Sequence, residues 1–547
     1  MKTTFKYIAL VLAGSLLFAS CTQDYLDTVP TDSTSPDTAF ATTENAAQAI
    51  NGICQMMITQ HQYYGQGFNG EGTIKSMYGE YPGNDFSFPQ FAPGWSPIMN
   101  QEYMQRTTSI YLHYPWYYYY ILISNANSVI AHIHEAAGAE TDRQFIKAQA
   151  LTFRAYAYMQ LVQFYCYRWS DSNSGATNGV VLRLDESTGD LPLSTLAECY
   201  QQIYDDLDEA IDLYTESGVS RANFWEPDLS VAYATYARAA LNREDWATAQ
   251  EMAPKAYADH PLMSVAEYRS GFCEPNNEWI WGTYSDASET IWYYAWGVIM
   301  GYNGFYANNY GYAVIANREL IDLFPNTDIR KNLFLNQDLF PDFDFTNYYD
   351  DETGDGTVDD FYGIVTDEVA YEEYATESGI ALRQAMSEYA NSVAAYKPGY
   401  DNSYYYIYGH LKFAVSAQPG VSKINHFRSS EMYLIEAEAA YHNGDTAAAQ
   451  AAMNALNKES GRDTAYNCTA TGTALLDEIR NYRRLELWGE GFNWLDFKRW
   501  GLPVVRKSFA KGGSFNSAVA VTIQPEDANK WTWDIPQRET DYNSAIK

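Results

Sequence analysis

The sequence predicts an all-α protein, a tetratricopeptide-like helical scaffold with large irregular, loop-rich inserts. Three observations predict it: long segments with apolar residues on a helical period, an Ala-rich helix-turn-helix unit that occurs twice, and aromatic-rich stretches punctuated by Gly and Pro. The spacing between helical units is irregular, so a regular solenoid is not expected.

A long amphipathic helix is predicted over residues 145–168, which carry apolar residues on a period of about 3.6. A second helix is predicted after Thr195, because Thr195 and Glu198 match a capping box, in which each side chain bonds the other residue's backbone N–H. Behind the box the apolar residues form one stripe: Cys199, Ile203, Leu207, Ile211 and Tyr214.

The repeated unit occupies residues 239–249 and residues 439–449, which align without a gap. In each copy an Ala-rich helix ends in a turn, and Asp245 or Asp445 is placed to cap a second Ala-rich helix. Small Ala side chains let paired helices approach closely. This is the organisation of a tetratricopeptide repeat.

The chain is predicted to have three parts: a lipoprotein signal peptide at residues 1–20, an acylated cysteine with a polar tether at residues 21–40, and a single domain at residues 41–547. Within the domain, the helical scaffold is expected mainly in residues 41–60, 121–260 and 425–500, and the aromatic-rich inserts in residues 61–120 and 261–424.

The N-terminal segment predicts export. Lys2 and Lys6 precede an apolar run that is too short to span a bilayer, and the run closes on Ala19-Ser20-Cys21. This end resembles the bacterial lipobox, although Phe18 stands where the pattern prefers Leu. Cys21 would then be acylated and anchor the protein to a membrane. An ordinary cleaved signal with an incidental cysteine is the alternative.

Charge excludes one class of partner. The formal net charge is −34, from 35 Lys and Arg against 69 Asp and Glu, so the protein repels nucleic acid and anionic lipid. Acidic polysaccharides are disfavoured as well, unless a local basic patch overrides the average. Without Cys21 the cysteines are odd in number, and none lies in a C-x-x-C motif, so no disulfide framework is expected.

Four short motifs bear on nucleotide, hydrolase and metal chemistry. Residues 65–70 spell G-x-G-x-x-G, but they follow a helix-like segment and no helix-forming run is expected at their end, so a dinucleotide site is rejected. Neither a P-loop nor G-x-S-x-G occurs. A calcium loop is suggested by Asp351, Asp355 and Asp359, but Tyr362 stands where the bidentate Glu belongs, so a plain acidic loop is the alternative. No other cofactor is expected.

Aromatic residues make up 16% of the chain, and 48 of them are Tyr. Rings interleaved with Asn and Asp are typical of neutral-sugar sites, because ring faces stack on pyranose C–H groups while amides and carboxylates bond the hydroxyls. Core packing is the alternative for every ring. The predicted glycan-binding residues are Tyr78, Tyr81, Asn84, Asp85, Trp95, Trp292, Trp296, Tyr306, Asn308 and Tyr310.

Several longer motifs lie along the chain: Asp24-Tyr25-Leu26-Asp27 after the lipobox, residues 148–165, residues 428–439, residues 483–500 and Trp533-Asp534-Ile535-Pro536. In these motifs the chain resembles the SusD/RagB family of outer-membrane nutrient-binding lipoproteins, and the resemblance covers nearly its whole length. Asn493 stands where many members carry Arg, which leaves one buried ion pair of the family open.

Charges in the C-terminal motifs alternate in sign among Trp and Leu. This pattern predicts partly buried ion pairs that hold the last helices together and are not catalytic acids. The residues concerned are Arg483, Arg484, Glu486, Glu490, Asp496 and Arg499.

The resemblance implies a non-enzymatic, cell-surface glycan-binding protein that captures oligosaccharide or polysaccharide and delivers it to a SusC-like TonB-dependent transporter. It also implies that Cys21 holds the protein in the outer membrane, facing the exterior. A surface glycoside hydrolase is the alternative from another class, since carboxylates are abundant and sequence cannot show which have shifted pKa values. A peptide-capturing member of the same family is a third reading.

Overall fold

The protein is mostly helical, as the sequence predicts, and the strands in the described residues form two-stranded ribbons. The computed structural model describes residues 36–61, 68–88, 95–286, 295–305, 307, 314–343, 377–396, 405–508 and 511–546. The predicted signal peptide and Cys21 lie outside these ranges, as do the calcium candidates Asp351, Asp355 and Asp359.

The described helices of eight or more residues are α1 (Thr43–Met56), α2 (Ile110–His132), α3 (Glu140–Tyr165), α4 (Leu196–Ser217), α5 (Leu229–Asn242), α6 (Trp246–Tyr257), α7 (Glu377–Val393), α8 (Ser429–His442), α9 (Thr446–Asn454), α10 (Gly472–Glu486) and α11 (Asn493–Trp500). Two segments are π-helical. Ile74–Glu80 continues the helical turn Gly70–Thr73, and Ala455–Glu459 continues α9.

The strands are β1 (Phe86–Ser87), β2 (Trp279–Gly282), β3 (Ile315–Ala316), β4 (Asn425–Arg428), β5 (Val504–Val505) and β6 (Thr522–Ile523). They pair antiparallel as β1 with β3, β2 with β4 and β5 with β6. The shorter helical turns are Pro36–Ala39, Gly70–Thr73, Ser96–Met99, Tyr103–Gln105, Ile133–Glu135, Trp169–Asp171, Val265–Tyr268, Trp296–Met300, Arg318–Ile321, Lys331–Leu333, Gln337–Leu339, Ser517–Val519, Ala528–Trp531, Gln537–Tyr542 and Ser544–Ile546.

The long helices pack in chain order and then close across a long interval. α3 lies between α2 and α4, α5 packs on α6, and α6 packs on α8, although residues 258–428 separate them. At this junction Trp246 stacks on His442 with ring centroids 4.0 Å apart, and Tyr257 stacks on Tyr433 at 4.1 Å. The two copies of the repeat are therefore neighbours in space.

The predicted repeat is confirmed in detail. The Asp245 side chain accepts the Thr248 N–H at the start of α6, and the Asp445 side chain accepts the Ala448 N–H at the start of α9. The turn before each cap needs a left-handed residue, which is Gly444 at φ +80° in one copy and Glu244 at φ +59° in the other. Glycine adopts this conformation without steric cost, whereas Glu244 does not. The copy at residues 239–249 therefore carries local backbone strain.

Several predicted helix limits shift by a few residues. α3 begins at Glu140, before the predicted start, and ends at Tyr165. The predicted capping box of Thr195 and Glu198 is present. The end of the first predicted insert is helical, because α2 begins at Ile110 and includes Trp116 to Tyr120.

The G-x-G-x-x-G motif also needs a correction. The helical turn Gly70–Thr73 begins at its last glycine, so the expectation that no helix starts there is wrong. The rejection of a dinucleotide site does not depend on this, because the motif follows the helix α1 and not a strand.

Cysteine and membrane features agree with the sequence where they are described. Cys54, Cys166, Cys199, Cys273 and Cys468 are all buried and free. In the described ranges no helix has the length and apolar character that crossing a bilayer requires. The same ranges contain no group of three or more His, Cys, Asp and Glu side chains arranged to hold a metal ion.

A fully buried ionic cluster lies where β4 meets α10. The Arg428 guanidinium donates to both carboxylate oxygens of Glu490, at 2.7 and 2.8 Å, to Glu486 at 2.6 Å and to Glu278 at 2.8 Å. Lys412 completes the site by donating to the Glu490 carboxylate at 2.7 Å and to two backbone carbonyls. Each of these side chains is at most 2% exposed.

The cluster is electrically balanced. Burial opposes ionisation of Glu486, yet Arg462, Arg428 and Arg330 hold its pKa well below its usual range. Burial opposes the ionisation of Glu490 too, and Arg428 with Lys412 lowers its pKa to about 2. Four basic side chains pair with four acidic ones: Arg330, Lys412, Arg428 and Arg462 with Glu278, Asp328, Glu486 and Glu490.

The ion pairs predicted among the last helices are confirmed, and they are more deeply buried than expected. Arg483 pairs with Asp496 at 2.6 Å and so joins α10 to α11. Arg499 donates to Glu438 at 2.6 Å, which fastens α11 to α8.

Replacement of Arg428 tests the structural role of the cluster. Arg428→Met should lower the free energy of unfolding by about 3–5 kcal/mol, because it leaves Glu278, Glu486 and Glu490 buried with too little positive charge. Urea unfolding followed by tryptophan fluorescence measures the change. The control is Lys255→Met, which breaks a pair with side chains 43% and 62% exposed and should cost less than about 1 kcal/mol. Equal costs for the two variants would contradict the assigned role.

Candidate functional site

The two aromatic inserts meet at the ribbon formed by β1 and β3. Phe86 pairs with Ala316 and Ser87 with Ile315, so the chain leaving β1 and the chain entering β3 lie at the same end of the ribbon. Asn317 strengthens the junction: its N–H donates to the Asp85 carbonyl at 3.0 Å and its amide to the Asn84 carbonyl at 2.8 Å. The two predicted inserts are thereby joined beside Asn84 and Asp85.

A cluster of rings supports this region. Tyr81 packs edge-on against Phe88 and Trp95, with centroids 4.9 and 5.3 Å away, and Phe86 stacks on Trp488 of the scaffold at 6.0 Å. Trp95 lies nearly parallel to Phe88, with 9° between the rings. Trp95 is half-buried, whereas Tyr81, Phe86 and Phe88 are buried. The indole of Trp95 is therefore a partly open ring on a packed aromatic base.

Three predicted stacking residues belong to the core. Tyr78 and Tyr81 are fully buried, because both lie on or next to the π-helical segment Ile74–Glu80, which is buried along its whole length. The Tyr78 hydroxyl donates to the Tyr111 carbonyl at 2.9 Å. Trp296 is 4% exposed and packs edge-on against Phe413. The expectation that these rings form an open stacking surface is corrected, since none presents a face to solvent.

Asp85 is also corrected. It is 1% exposed and pairs with Arg484 at 2.7 Å, while the Asn493 amide donates to it at 2.5 Å. These bonds occupy its carboxylate, so it is not free for a sugar hydroxyl. Asn84 is half-buried, and its side-chain oxygen is itself shielded from solvent and has no hydrogen-bond partner among the described residues. Of the adjacent pair, only Asn84 keeps an unpaired acceptor, but a ligand in solvent does not reach that atom.

Glu80 and Asp85 are two buried carboxylates whose charges interact, and a raised pKa on one of two such groups is a feature of acid–base enzymes. Burial raises the pKa of Glu80 to about 7, against hydrogen bonds from the Gly491 and Phe492 N–H groups that lower it. Glu80 and Asp85 are each 1% exposed. A substrate in solvent does not reach either group, so this pair forms no accessible active site.

Four predicted site residues lie outside the described residues: Trp292, Tyr306, Asn308 and Tyr310. Their part in a glycan site stays a prediction. Within the described residues the predicted site consists of the Trp95 ring and the Asn84 amide, held by the buried residues around them.

One surface feature was missed from the sequence. Tyr167 is 42% exposed and stands between two small cavities of about 30 and 40 Å³, both of which are also lined by Arg168 and Lys498. Burial lowers the pKa of Lys498 to about 7, and its ammonium donates to the Gln163 and Cys166 carbonyls. No local signal points to this arrangement, because α11 reaches the end of α3 only through the tertiary fold.

Comparison with known families decides the chain's membership. Residues 24–241 match a family model described as starch-binding and associating with the outer membrane, and residues 277–547 match the SusD family model. The chain belongs to the SusD/RagB family. Comparison with curated protein sequences gives no match.

Solved structures show the same SusD/RagB fold. A SusD-like carbohydrate-binding protein from Bacteroides vulgatus is 22% identical and has a TM-score of 0.66, over 93% of this chain and 98% of that one. A SusD superfamily protein from Bacteroides thetaiotaomicron is 22% identical, with a TM-score of 0.66 over 92% and 99% of the two chains. Another from Bacteroides vulgatus is 19% identical, with a TM-score of 0.68 over 93% and 98%.

Asn493 stands where many members of the family carry Arg, and its neighbour Asp85 is paired with another arginine instead. In this SusD/RagB chain Asn493 bonds Asp85 and also accepts the Asn84 N–H at 2.8 Å, while Arg484 supplies the positive charge for Asp85. A Cβ at Gly83 would lie 1.9 Å from the Asn493 side-chain oxygen, so the close approach requires glycine.

Gly83→Ala tests whether Asn493 positions the Trp95 region. The added methyl should displace the Asn493 side chain, break its bonds to Asn84 and Asp85, and lower the free energy of unfolding by about 1–3 kcal/mol. Gly189→Ala is the control, since nothing lies within 4 Å of a Cβ there. Chemical denaturation compares them, and an unchanged stability of Gly83→Ala would show that the contact with Asn493 is not tight.

Proposed function

We propose that this SusD/RagB protein is a cell-surface glycan-binding lipoprotein that captures oligosaccharide or polysaccharide and delivers it to a SusC-like TonB-dependent transporter. The observation that carries the proposal is the match of residues 24–241 to a family described as starch-binding and associating with the outer membrane. The solved SusD-like protein from Bacteroides vulgatus, whose title names it a carbohydrate-binding protein, supports it.

The binding surface is proposed at Trp95, with Trp292, Tyr306, Asn308 and Tyr310 completing it. An indole ring that is half open and braced by Tyr81 and Phe88 suits stacking on a pyranose, because little side-chain freedom is lost on binding. Stacking on a few rings gives modest affinity, which suits a protein that passes its ligand on.

The proposed activity is binding without bond cleavage. Carboxylates nearest the Trp95 region are committed to the fold: Glu80 accepts the Gly491 and Phe492 N–H groups, and Asp85 pairs with Arg484. Their burial separates them from a glycan on the surface. At a net charge of −34, neutral glycans are the favoured ligands of this surface.

Trp95→Ala tests the binding surface. Loss of the ring should weaken binding of the recognised glycan about tenfold, or roughly 1.4 kcal/mol, without lowering the unfolding temperature by more than the control does. Affinity electrophoresis over a broad neutral glycan panel identifies the ligand, and isothermal titration measures the change, with Trp292→Ala in parallel. The control is Trp246→Ala, which removes an equally half-buried Trp from the junction of the two repeats.

The outcomes separate the alternatives. Undiminished binding by both Trp95→Ala and Trp292→Ala would reject this surface. Release of reducing ends from the bound glycan by the purified protein would favour the glycoside hydrolase, and binding of peptides with no glycan bound would favour a peptide-capturing member of the family.

Cys21→Ser tests the anchor and the partner. Without the thiol there is no site for acylation, so the protein should leave the outer-membrane fraction and appear in the medium, and labelled fatty acid should not be incorporated. Cys468→Ser, which changes a buried cysteine, should leave membrane attachment intact. A TonB-dependent transporter should co-purify with the tagged wild-type protein from detergent-solubilised outer membranes. Labelling of Cys21→Ser would contradict the anchor, and purification of the wild-type protein alone would contradict the partner.

A further inference from the structure

A third and larger cavity lies at the C-terminal end of α7. It has a volume of about 320 Å³, within the range of small-molecule sites in proteins. Most of its wall is apolar and comes from the ring of Tyr389 and the side chains of Leu333, Val393, Ala394 and Leu411. Two polar side chains, Arg269 and Asn332, complete the lining.

Arg269 brings a positive charge to the lining of this cavity. Its guanidinium makes no hydrogen bond, ion pair or ring contact with any residue in the part of the chain that the structure describes, and its side chain is exposed. The chain has 69 acidic residues against 35 basic ones, so an arginine with no acidic partner is not explained by a shortage of carboxylates. Its charge remains available to a ligand in the cavity.

The hydroxyl of Tyr389 helps to define the polar side of the cavity. It donates to the Asn332 carbonyl at 3.2 Å, and the Tyr389 ring is held edge-on by Phe340. Burial raises the pKa of Tyr389, and the positive charge of Arg269 opposes the rise. Arg269 and Asn332 line the same cavity, so their side chains can act on one group of a ligand.

Neighbouring carboxylates are bound elsewhere. Glu267, two residues before Arg269, accepts bonds from the Ser264 N–H and hydroxyl at 2.8 Å. Glu388, next to Tyr389, accepts from Gln384 at 3.0 Å. Lys331, next to Asn332, is paired with Asp338. No described carboxylate neutralises Arg269, so the cavity favours an anion.

We propose that this cavity binds a small organic carboxylate with an apolar body, its carboxylate held by Arg269 and Asn332 and its body packed against Tyr389, Leu333 and Leu411. Arginine donates two parallel N–H groups to a carboxylate, which gives both charge neutralisation and orientation. The apolar wall suits a hydrocarbon or aromatic body, whereas a sugar acid would leave most of its hydroxyl groups without partners. The site is independent of the proposed glycan surface at Trp95.

The probe is trans-cinnamate, a carboxylate with a flat apolar body, measured against the full-length mature protein by ligand-observed saturation-transfer NMR. Binding on the order of 1 mM is expected for a ligand of this size. The neutral amide, cinnamamide, should bind about tenfold more weakly because it forfeits the charge-assisted bonds. Glucuronate, a carboxylate with a polar body, should also bind about tenfold more weakly.

Two variants locate the site. Arg269→Gln should weaken cinnamate about tenfold or more and remove its advantage over cinnamamide. Val393→Trp should fill the cavity and abolish binding of both, at little cost in stability because Val393 is exposed at the end of α7. The matched control is Arg106→Gln, which removes the same charge from an exposed arginine outside the cavity and should leave cinnamate binding unchanged.

Each result decides the proposal. No cinnamate binding by the wild-type protein, or equal binding by Arg269→Gln and wild type, would overturn the site. Glucuronate binding as tightly as cinnamate would overturn the ligand class. Glycan binding measured on the same samples remains a separate readout, since Arg269→Gln should not affect it.

Discussion

The fold depends on one buried arginine and the carboxylates around it. Arg428 directs its N–H groups to Glu278, Glu486 and Glu490, and these acceptors come from two segments that lie about 200 residues apart in the chain. Taking so many charges out of water is costly, and their mutual attraction repays the cost only when every partner is present. Since the four basic and four acidic groups balance, the arrangement tolerates burial as a whole but not the loss of one member.

The same charges fasten both inserts to the scaffold. Lys412, from the second insert, is bound to Glu490, and Asp85, from the first, is bound to Arg484 on α10. Each predicted insert is thus held to the scaffold by an ion pair that is largely buried. The Trp95 ring is half-buried against Tyr81 and Phe88 and makes neither of these ion pairs.

Local features were predictable and long-range ones were not. The caps at Asp245 and Asp445 follow from spacing within one turn of chain, and the alternating charges of α10 and α11 indicated buried pairs correctly. Asn84 and Asp85 are adjacent in sequence, yet only Asp85 is held in an ion pair. Its partner, Arg484, lies 399 residues further along the chain. Tyr78 and Tyr81 were misjudged for the same reason: composition showed rings in an insert, but packing against the scaffold put them inside. Trp95 stays partly exposed, but no local sequence feature distinguishes it from Tyr78 and Tyr81.

The net charge of the chain affects a distant ligand and a bound ligand differently. Far from the surface the field of −34 charges repels anions, which favours neutral ligands and disfavours nucleic acid. At physiological salt this field is screened within about 8 Å, so a ligand already in a cavity responds to the groups that line it. The buried acids around Arg428 are matched by buried bases, and Glu388 on α7 accepts a hydrogen bond from Gln384. Arg269 has no such partner. The local potential in the cavity that it lines is therefore opposite in sign to the net charge of the whole molecule.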